Sequence, residues 1–224
     1  MSAVPAEPAS DASPPAATAV GRRVSFAEYM DLCEADGLRY ERHDGVIVLP
    51  PEGMSGGSPE HGFVKGDGYR AIANAVESAG RKCGVFDSDQ AVHIEFVDRD
   101  VFPDASAFCG TPEFFEDAGR KALVNPCLVV EVLSPSTRGY DLGRKFTWYR
   151  SLESLQEYVV VEPEPYFVQR FRRQTTGWLM EAFASADDRV SLESVGVSVR
   201  VGDFYAQTIA FFGDTPTPDG PPTA

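Results

Sequence analysis

A glutamate lies inside one of the most apolar segments of the chain. Glu131 is the only charged residue of segment 127–133, whose sequence is CLVVEVL. The length and β-branched content of this segment predict a buried strand. An ionised carboxylate is costly there unless it is paired or bound to a cation. Glu131 is therefore either a metal ligand or catalytic acid, or a residue at the end of the sheet that pairs with an arginine.

Asp104 is a second carboxylate that could join the same site. It follows Pro103 in a predicted strand over residues 101–108. Pro-Asp is a common turn dipeptide, so this pair alone indicates little. Two neighbouring strands can, however, bring two carboxylates to one point, where oxygen ligands suit Mg²⁺.

Lys145 lies in a predicted helix over residues 141–150, after the segment that contains Glu131. Asp141 is four residues earlier on the same helix face, so a simple Asp141–Lys145 pair is one interpretation. Tyr149 continues that face, which predicts that the face turns toward the protein. The other interpretation is that Lys145 is shielded and directed at the acidic site.

Residues 53–57, GMSGG, formally match the G-x-S-x-G pattern of hydrolases. A nucleophile elbow needs a strand before the serine and a helix directly after it. Two prolines precede this segment, so we interpret residues 50–59 as a loop that could lie near the site. An esterase that uses Ser55 is a third hypothesis, which this context does not favour. His61 begins the next predicted helix, either as a structural residue or in contact with substrate.

Several arginines are candidates for phosphate contacts in this acidic protein. They are Arg138, Arg144 and Arg150 near the proposed site, and Arg170, Arg172 and Arg173 on a late hairpin. The alternative for the hairpin group is a set of surface arginines on an edge strand.

The elements that must position these residues mix helices with strands. A capping box, Ser25 to Glu28, predicts a short helix that continues to about Cys33. Further helices are predicted over 61–79 and 141–150, strands over 91–97, 101–108, 127–133 and 157–161, and hairpins over 39–49 and 168–183. The first hairpin turns at Asp44-Gly45, a typical hairpin dipeptide. This order predicts an α/β domain around a central sheet.

Composition predicts one domain with two tails. The chain has 224 residues, of which 43% are hydrophobic and 24% are charged, as in ordinary globular proteins. Residues 1–22 are rich in Ala, Pro and Ser, and residues 213–224 are rich in Pro, Thr and Gly. Both are predicted to be disordered, which leaves residues 23–212 as the domain.

Charge and cysteine content exclude some classes of protein. A net charge of −14 argues against a protein that coats nucleic acid with a basic surface, but not against an enzyme with a local basic patch. The 4 cysteines form no C-x-x-C pair, so a zinc ribbon is not expected. No secretory signal or bilayer-spanning apolar segment is visible, and the predicted location is the cytoplasm.

Successive segments of the chain resemble the Uma-type family of restriction endonuclease-like proteins, within the PD-(D/E)XK nuclease superfamily. They are RYERHDGVIVLPP, FPDAS, LVVEVLSPST, YDLGRKFTWYR and EYVVVEP, in that order within about residues 24–183. The resemblance implies a restriction-endonuclease-like mixed central sheet flanked by helices, with N-terminal and C-terminal β-hairpins. It also implies a divalent-metal site that binds Mg²⁺ or Mn²⁺.

The resemblance implies roles for particular residues. Asp104 and Glu131 match the metal-binding acids, and the carbonyl of Val132 is a further ligand in related nucleases. Position 133 is Leu where the superfamily has lysine. The family places its lysine on the following helix, which here means Lys145. Glu41 matches an acid in the first hairpin, from which it could approach the metal.

The leading hypothesis is a metal-dependent endonuclease that hydrolyses phosphodiester bonds in DNA, as a homodimer like many related nucleases. The alternative is a catalytically inactive nuclease-fold module that acts in nucleic-acid binding or protein assembly. The acidic balance and the missing lysine at position 133 favour keeping that alternative. Convergence of Asp104, Glu131 and Lys145 would support the enzyme, whereas Lys145 pointing away would support the alternative.

Overall fold

The computed structural model describes residues 19–49, 58–163 and 166–213. Most of the predicted tails and of the predicted loop over 50–59, including Ser55, lies outside the described residues.

Residues 19–22 belong to the fold, although we predict them to be part of the N-terminal tail. The Gly21 amide donates a hydrogen bond to the carbonyl of Ile47 at 2.9 Å, and the Ile47 amide donates to the carbonyl of Arg22 at 2.9 Å. Ala19 is buried in the adjoining core. The predicted start of the domain at residue 23 is therefore too late.

The helices of the described chain are short apart from the second. They are α1 (Phe26–Asp36), α2 (Pro59–Ser78), α3 (Arg138–Tyr140), α4 (Phe146–Tyr149) and α5 (Ala206–Phe212). A π-helical turn, Asp141–Lys145, joins α3 to α4. Turns of 3₁₀ helix occupy Glu95–Val97 and Val201–Tyr205. Ser25 caps α1 with the predicted capping box, in which Glu28 is the reciprocal partner.

The strands form two large sheets and a separate hairpin. They are β1 (Glu41–His43), β2 (Val46–Val48), β3 (Cys83–Phe86), β4 (Val92–Ile94), β5 (Arg99–Val101), β6 (Ala105–Cys109), β7 (Phe114–Asp117), β8 (Arg120–Leu123), β9 (Leu128–Val132), β10 (Glu157–Val161), β11 (Val168–Arg173), β12 (Trp178–Phe183), β13 (Arg189–Leu192) and β14 (Val197–Arg200). The first sheet has the order β2-β1-β5-β4-β8-β7, and the second has the order β12-β11-β10-β9-β6-β3.

The second sheet is mixed and positions the acidic residues. Its strand β9 pairs in parallel with β10, and α3, the π-helical turn and α4 form the crossover between these two strands. On its other side β9 pairs antiparallel with β6, with Ala105 opposite Val130. This register brings residue 104 next to residue 131. The predicted restriction-endonuclease-like α/β fold and both β-hairpins are confirmed.

Both faces of β9 are buried, as its apolar sequence predicts. Leu128, Val130 and Val132 contribute to a core that includes Val64 and Ile72 of α2. Val129 contributes to a second core, which includes Tyr149 of α4. Because side chains alternate along a strand, Glu131 lies on the same side as Val129. Its carboxylate therefore faces the helical crossover rather than α2.

Three predicted elements differ from the structure. The strand predicted over 91–97 ends at Ile94, and Phe96, which lies within the predicted range, is 84% exposed in a 3₁₀ turn. The strand predicted over 101–108 is divided between β5 and β6, with Asp104 in the break. The helix predicted over 141–150 is interrupted by the π-helical turn. Strands β3, β7, β8, β13 and β14 and helix α5 are not anticipated from the sequence.

Cys83 and Cys109 face each other across β3 and β6 and form a disulfide. The bond closes a loop with a sequence separation of 26. By chain entropy such a cross-link contributes about 3 kcal/mol to the free energy of unfolding. Cys33 and Cys127 are free thiols.

Among the helices of the described ranges, none combines the length and apolar character that a membrane span requires.

Candidate metal centre

A cavity of about 110 Å³ lies where β1, β6, β9, α2 and the helical crossover meet. Its lining includes acidic and basic side chains in close proximity. The acids are Glu41, Asp104, Glu131 and Asp141, and the bases are Arg39, Lys65 and Lys145. The structure thus brings together the side chains of four residues predicted from the sequence: Asp104, Glu131, Lys145 and Glu41.

Asp104 enters the cavity from the break between β5 and β6. Its Oδ2 accepts a hydrogen bond from the backbone amide of Val132 at 2.6 Å. Its Oδ1 lies 2.7 Å from Nζ of Lys65 on α2. The backbone contact fixes the carboxylate against the end of β9, so its position depends on the β6–β9 pairing.

Glu131 is almost fully buried and has two polar partners. Nζ of Lys145 lies 2.8 Å from Oε1, and the Tyr149 hydroxyl donates a hydrogen bond to the same oxygen at 3.1 Å. Burial raises the pKa of Glu131 well above its usual value, although the positive charge of Lys145 opposes this shift. The negative charges of Asp141 and Asp104 raise the pKa further.

Lys145 is held in the cavity by the π-helical turn. Burial alone would lower the pKa of this lysine, but the surrounding carboxylates Glu131, Asp141 and Glu41 raise it well above its usual value. These carboxylates therefore favour the charged form of Lys145. Its Nζ also lies 3.7 Å from Oδ1 of Asp141, so the Asp141–Lys145 pair and the approach to Glu131 both occur. The inserted residue of a π-helical turn is often found at functional sites, where it redirects side chains.

Glu41 approaches the cavity from β1 and is buried. Its Oε2 accepts a hydrogen bond from the Tyr140 hydroxyl and lies 2.7 Å from Nε2 of His43. Burial, together with the negative charge of Glu41, raises the pKa of Tyr140 above its usual value, so Tyr140 remains a donor. These contacts orient the side chain of Glu41, which lines the cavity from β1.

The carbonyl of Val132 has a protein partner. Nε2 of His61 lies 3.0 Å from this oxygen, and Val132 is not part of the cavity lining. The structure thus gives the carbonyl a hydrogen bond to His61 where we predict a cation. Its role as a ligand stays a prediction. His61 is a structural contact between α2 and the end of β9.

Lys65, Tyr140 and Tyr149 are members of the site that the sequence does not indicate. Lys65 lies in the segment HGFVKGDGY, where a helical lysine is normally a solvated surface residue. Tyr140 and Tyr149 read as ordinary packing residues of a helix. Only the fold reveals that their polar ends meet the acids.

The arginines that we considered for phosphate contacts are largely engaged within the protein. Arg170 is buried and pairs with Glu181, and Arg173 donates to the carbonyl of Leu155 at 2.6 Å. Arg138 pairs with Glu162, and the Arg138 side chain is partly exposed beside the site. The hairpin arginines therefore stabilise the fold.

A second acidic cluster lies on the other sheet. The potential ligand atoms of His93, Asp98 and Asp100 all lie within 4.8 Å of one another. Nε of Arg42 lies 2.6 Å from Asp100, and another guanidinium nitrogen lies 3.3 Å from Asp98. One guanidinium thus pairs with both carboxylates, and a cation that binds this cluster would have to compete with it.

The cavity is a second candidate site for a hard divalent cation, although among the described residues the group whose three candidate ligand atoms are close enough to share an ion is His93, Asp98 and Asp100. Its potential ligands are carboxylate oxygens, which Mg²⁺ and Mn²⁺ prefer. With Glu41, Asp104, Glu131 and Asp141 ionised, four negative charges face the three positive charges of Arg39, Lys65 and Lys145. A bound cation would offset the remaining negative charge and the desolvation of Glu131. Asp104 and Glu131 are the residues that would hold it.

Affinity of this site for Mn²⁺ is expected to rise with pH as Glu131 loses its proton, at a higher pH than an exposed glutamate would. A protonated Glu131 cannot bind a cation, and burial places its pKa above the usual value for glutamate of about 4.3. Proton and cation therefore compete at pH values where an exposed glutamate would already be ionised. Calorimetric titration in two buffers of different ionisation enthalpy should show proton release on binding, which decreases as pH rises. A Mn²⁺ affinity that is constant across this range would contradict the expectation.

The sequence of this chain matches one family model and is similar to two proteins of Synechocystis sp.. A family model described as "Uma2: Putative restriction endonuclease" matches residues 26–202. The uncharacterized protein slr1290 of Synechocystis sp. is 32% identical over 187 residues, which cover 82% of this chain and 92% of that protein. The uncharacterized protein sll1609 of the same organism is 29% identical over 150 residues, which cover 67% of this chain and 81% of that protein.

Proposed function

The chain belongs to the Uma2 family, whose description is "Putative restriction endonuclease", and we propose that it is a Mg²⁺-dependent endonuclease that hydrolyses phosphodiester bonds in DNA. The observation that carries this proposal is the convergence of Asp104, Glu131 and Lys145 on one cavity. A nuclease of this kind needs two acids to hold a cation and a nearby positive charge. This cavity offers both on a rigid sheet.

The side chains have separable tasks in the proposed mechanism. Asp104 and Glu131 hold the cation, and the Val132 amide and the Tyr149 hydroxyl fix the orientation of their carboxylates. Bound Mg²⁺ supplies neutralisation of phosphate charge and activation of water for attack. Lys145 opposes the effect of burial on the pKa of Glu131 and would lower the energy of the negative charge that develops on the phosphate.

Glu41 is the proposed proton acceptor for the attacking water. It lies on the β1 side of the cavity, and Tyr140 and His43 hold one of its oxygens. Its other oxygen could then accept a proton from a water in the cavity, which Glu41 lines. Glu41 could equally complete a second cation position, since it presents the same kind of ligand as Asp104.

The proposal includes a homodimer, because one site cuts one strand and two sites are needed to break a duplex. Light scattering should then give twice the 24.3 kDa of the chain. A cytoplasmic location is also part of the proposal, since a DNA substrate is found there. In that reducing compartment the Cys83–Cys109 bond is expected to open, so the fold must be stable without it.

Cleavage of supercoiled plasmid and of single-stranded DNA with Mg²⁺, Mn²⁺ or EDTA tests the proposal. We expect nicked and linear products with either metal, and none with EDTA or with Asp104→Asn. Asp98→Asn is a matched control, because it removes a carboxylate from the second acidic cluster and asparagine tolerates the left-handed backbone of Asp98, with φ of 43°. Full activity of Asp104→Asn would overturn the proposal.

A second candidate function is a non-catalytic module for nucleic-acid binding or protein assembly. The observation that favours it is that both central acids are in ion pairs, Asp104 with Lys65 and Glu131 with Lys145. Such pairs can stabilise a fold without any cation. This candidate predicts that the wild-type protein binds no Mn²⁺ and cleaves no DNA in the assay above.

A further inference from the structure

Two lysines enter the cavity, and they differ in their access to solvent. The Lys145 side chain is 9% exposed and lies behind Glu131 and Asp141. The Lys65 side chain is 31% exposed and reaches Asp104, which is itself 13% exposed. A phosphate that arrives from solvent therefore meets Lys65 before it can meet Lys145.

The two oxygens of Asp104 have different partners. Oδ2 accepts a hydrogen bond from the backbone amide of Val132, whereas Oδ1 lies 2.7 Å from Nζ of Lys65. A cation that binds this carboxylate must compete with the ammonium group at Oδ1. An ammonium group beside a divalent cation is repelled, so cation binding favours release of Lys65 from Asp104.

Helix α2 holds the backbone of Lys65 in place while the lysine side chain can reorient. His61 lies four residues earlier on the same helix face, and its ring contacts the carbonyl of Val132. This contact fixes the helix turn beside the ends of β6 and β9. The lysine side chain is a flexible four-carbon stem with a compact charge, so Nζ can move while the helix stays in place.

We propose that Lys65 is a substrate-binding residue that a divalent cation displaces from Asp104 and that then contacts a phosphate of the DNA backbone. This inference rests on the proposed function, because it requires the cation and the phosphate. It assigns the two lysines different roles. Lys145 pairs with Glu131 inside the protein, and Lys65 contacts the substrate at the cavity mouth.

The inference is tested with Lys65→Met and Lys65→Arg in two measurements that need no turnover. The first is Mn²⁺ binding by calorimetry without DNA. The second is binding of a labelled DNA duplex. Ca²⁺ replaces Mg²⁺ in this assay so that a cation is present while the DNA stays uncut. Lys82→Met is the matched control, since Lys82 is an exposed lysine just before β3 and does not line the cavity.

We expect Lys65→Met to bind Mn²⁺ at least as tightly as the wild type, because it removes a competing cation. Its DNA affinity in Ca²⁺ should fall by about tenfold or more, the loss expected for one charge-assisted phosphate contact. Lys65→Arg should retain part of that affinity, and Lys82→Met should stay within about twofold of the wild type.

Two results would overturn the inference. If Lys65→Met loses Mn²⁺ binding, Lys65 serves to position Asp104. If its DNA affinity equals that of Lys82→Met, Lys65 does not contact the substrate. Either result leaves the proposed function intact when wild-type cleavage still depends on Asp104. Failure of the proposed function has a different outcome, namely wild-type protein that neither binds Mn²⁺ nor cleaves DNA.

Discussion

Replacement of Glu131 by Gln is expected to lower the rate of DNA cleavage in saturating Mg²⁺ by about 10³-fold, which corresponds to roughly 4 kcal/mol of transition-state stabilisation. Gln has the shape of Glu and can keep hydrogen bonds to Lys145 and Tyr149. It lacks the negative charge that a cation needs. The loss should therefore appear in single-turnover cleavage rates measured well below the thermal unfolding midpoint, because the substitution also removes the charged partner of the buried Lys145 and destabilises the fold.

The control for this variant is Glu116→Gln. Glu116 lies on β7, is about half exposed and pairs with Lys121 at 3.1 Å. It carries the same charge change away from the cavity and should leave the cleavage rate unchanged. Cleavage by Glu131→Gln within tenfold of the wild type would show that Glu131 is not a ligand, and the proposed mechanism would then be wrong.

Replacement of Lys145 by Met is expected to destabilise the metal-free protein by about 3–5 kcal/mol at neutral pH, the typical cost of leaving one member of a buried ion pair without its partner. The side chains of Lys145 and Glu131 are only 9% and 4% exposed. Water therefore cannot replace the lost ammonium group. Urea denaturation followed by circular dichroism measures the difference.

Acidification should reduce the deficit of the Lys145→Met variant. The pKa of Glu131 is already raised by burial, and removal of the lysine raises it further. The carboxyl group of Glu131 has a lower pKa in the unfolded chain than in the folded variant. The loss of stability is therefore full above the folded pKa, decreases as pH falls below it and is absent below the unfolded pKa. A deficit that is constant with pH would contradict an origin in the buried charge.

The double variant Glu131→Gln/Lys145→Met separates charge from packing. Once neither charge is buried, most of the stability lost by Lys145→Met should return. The recovery of stability should be incomplete, because Lys145→Met also removes the ion pair of Lys145 with Asp141, whose atoms are 3.7 Å apart. If the two substitutions instead destabilise the protein additively, the Lys145–Glu131 pair has no special energetic role.

Local patterns account for the parts of the fold that could be predicted. The capping box at Ser25, the Asp44-Gly45 turn and the apolar run around Glu131 each depend on neighbouring residues. The structure contains α1, the first hairpin and β9 at these places. The family resemblance supplied the acids of the site, which these local patterns could suggest only one at a time.

The remaining features depend on contacts between distant residues. The pairing of Ala105 with Val130 sets Asp104 beside Glu131, and no local pattern encodes that register. Lys65 resembles any helical surface lysine until α2 packs across the ends of β6 and β9. The strand predicted over residues 91–97 is too long, because a 3₁₀ turn that contains Phe96 begins directly after Ile94.

Calorimetric titration with Mn²⁺ of the wild type, Asp104→Asn and Asp98→Asn tests most directly whether the cavity is a cation site. The account predicts one binding event per chain in the wild type, its loss in Asp104→Asn and its retention in Asp98→Asn. Binding that survives Asp104→Asn, or that disappears only in Asp98→Asn, would assign the cation elsewhere and contradict the account.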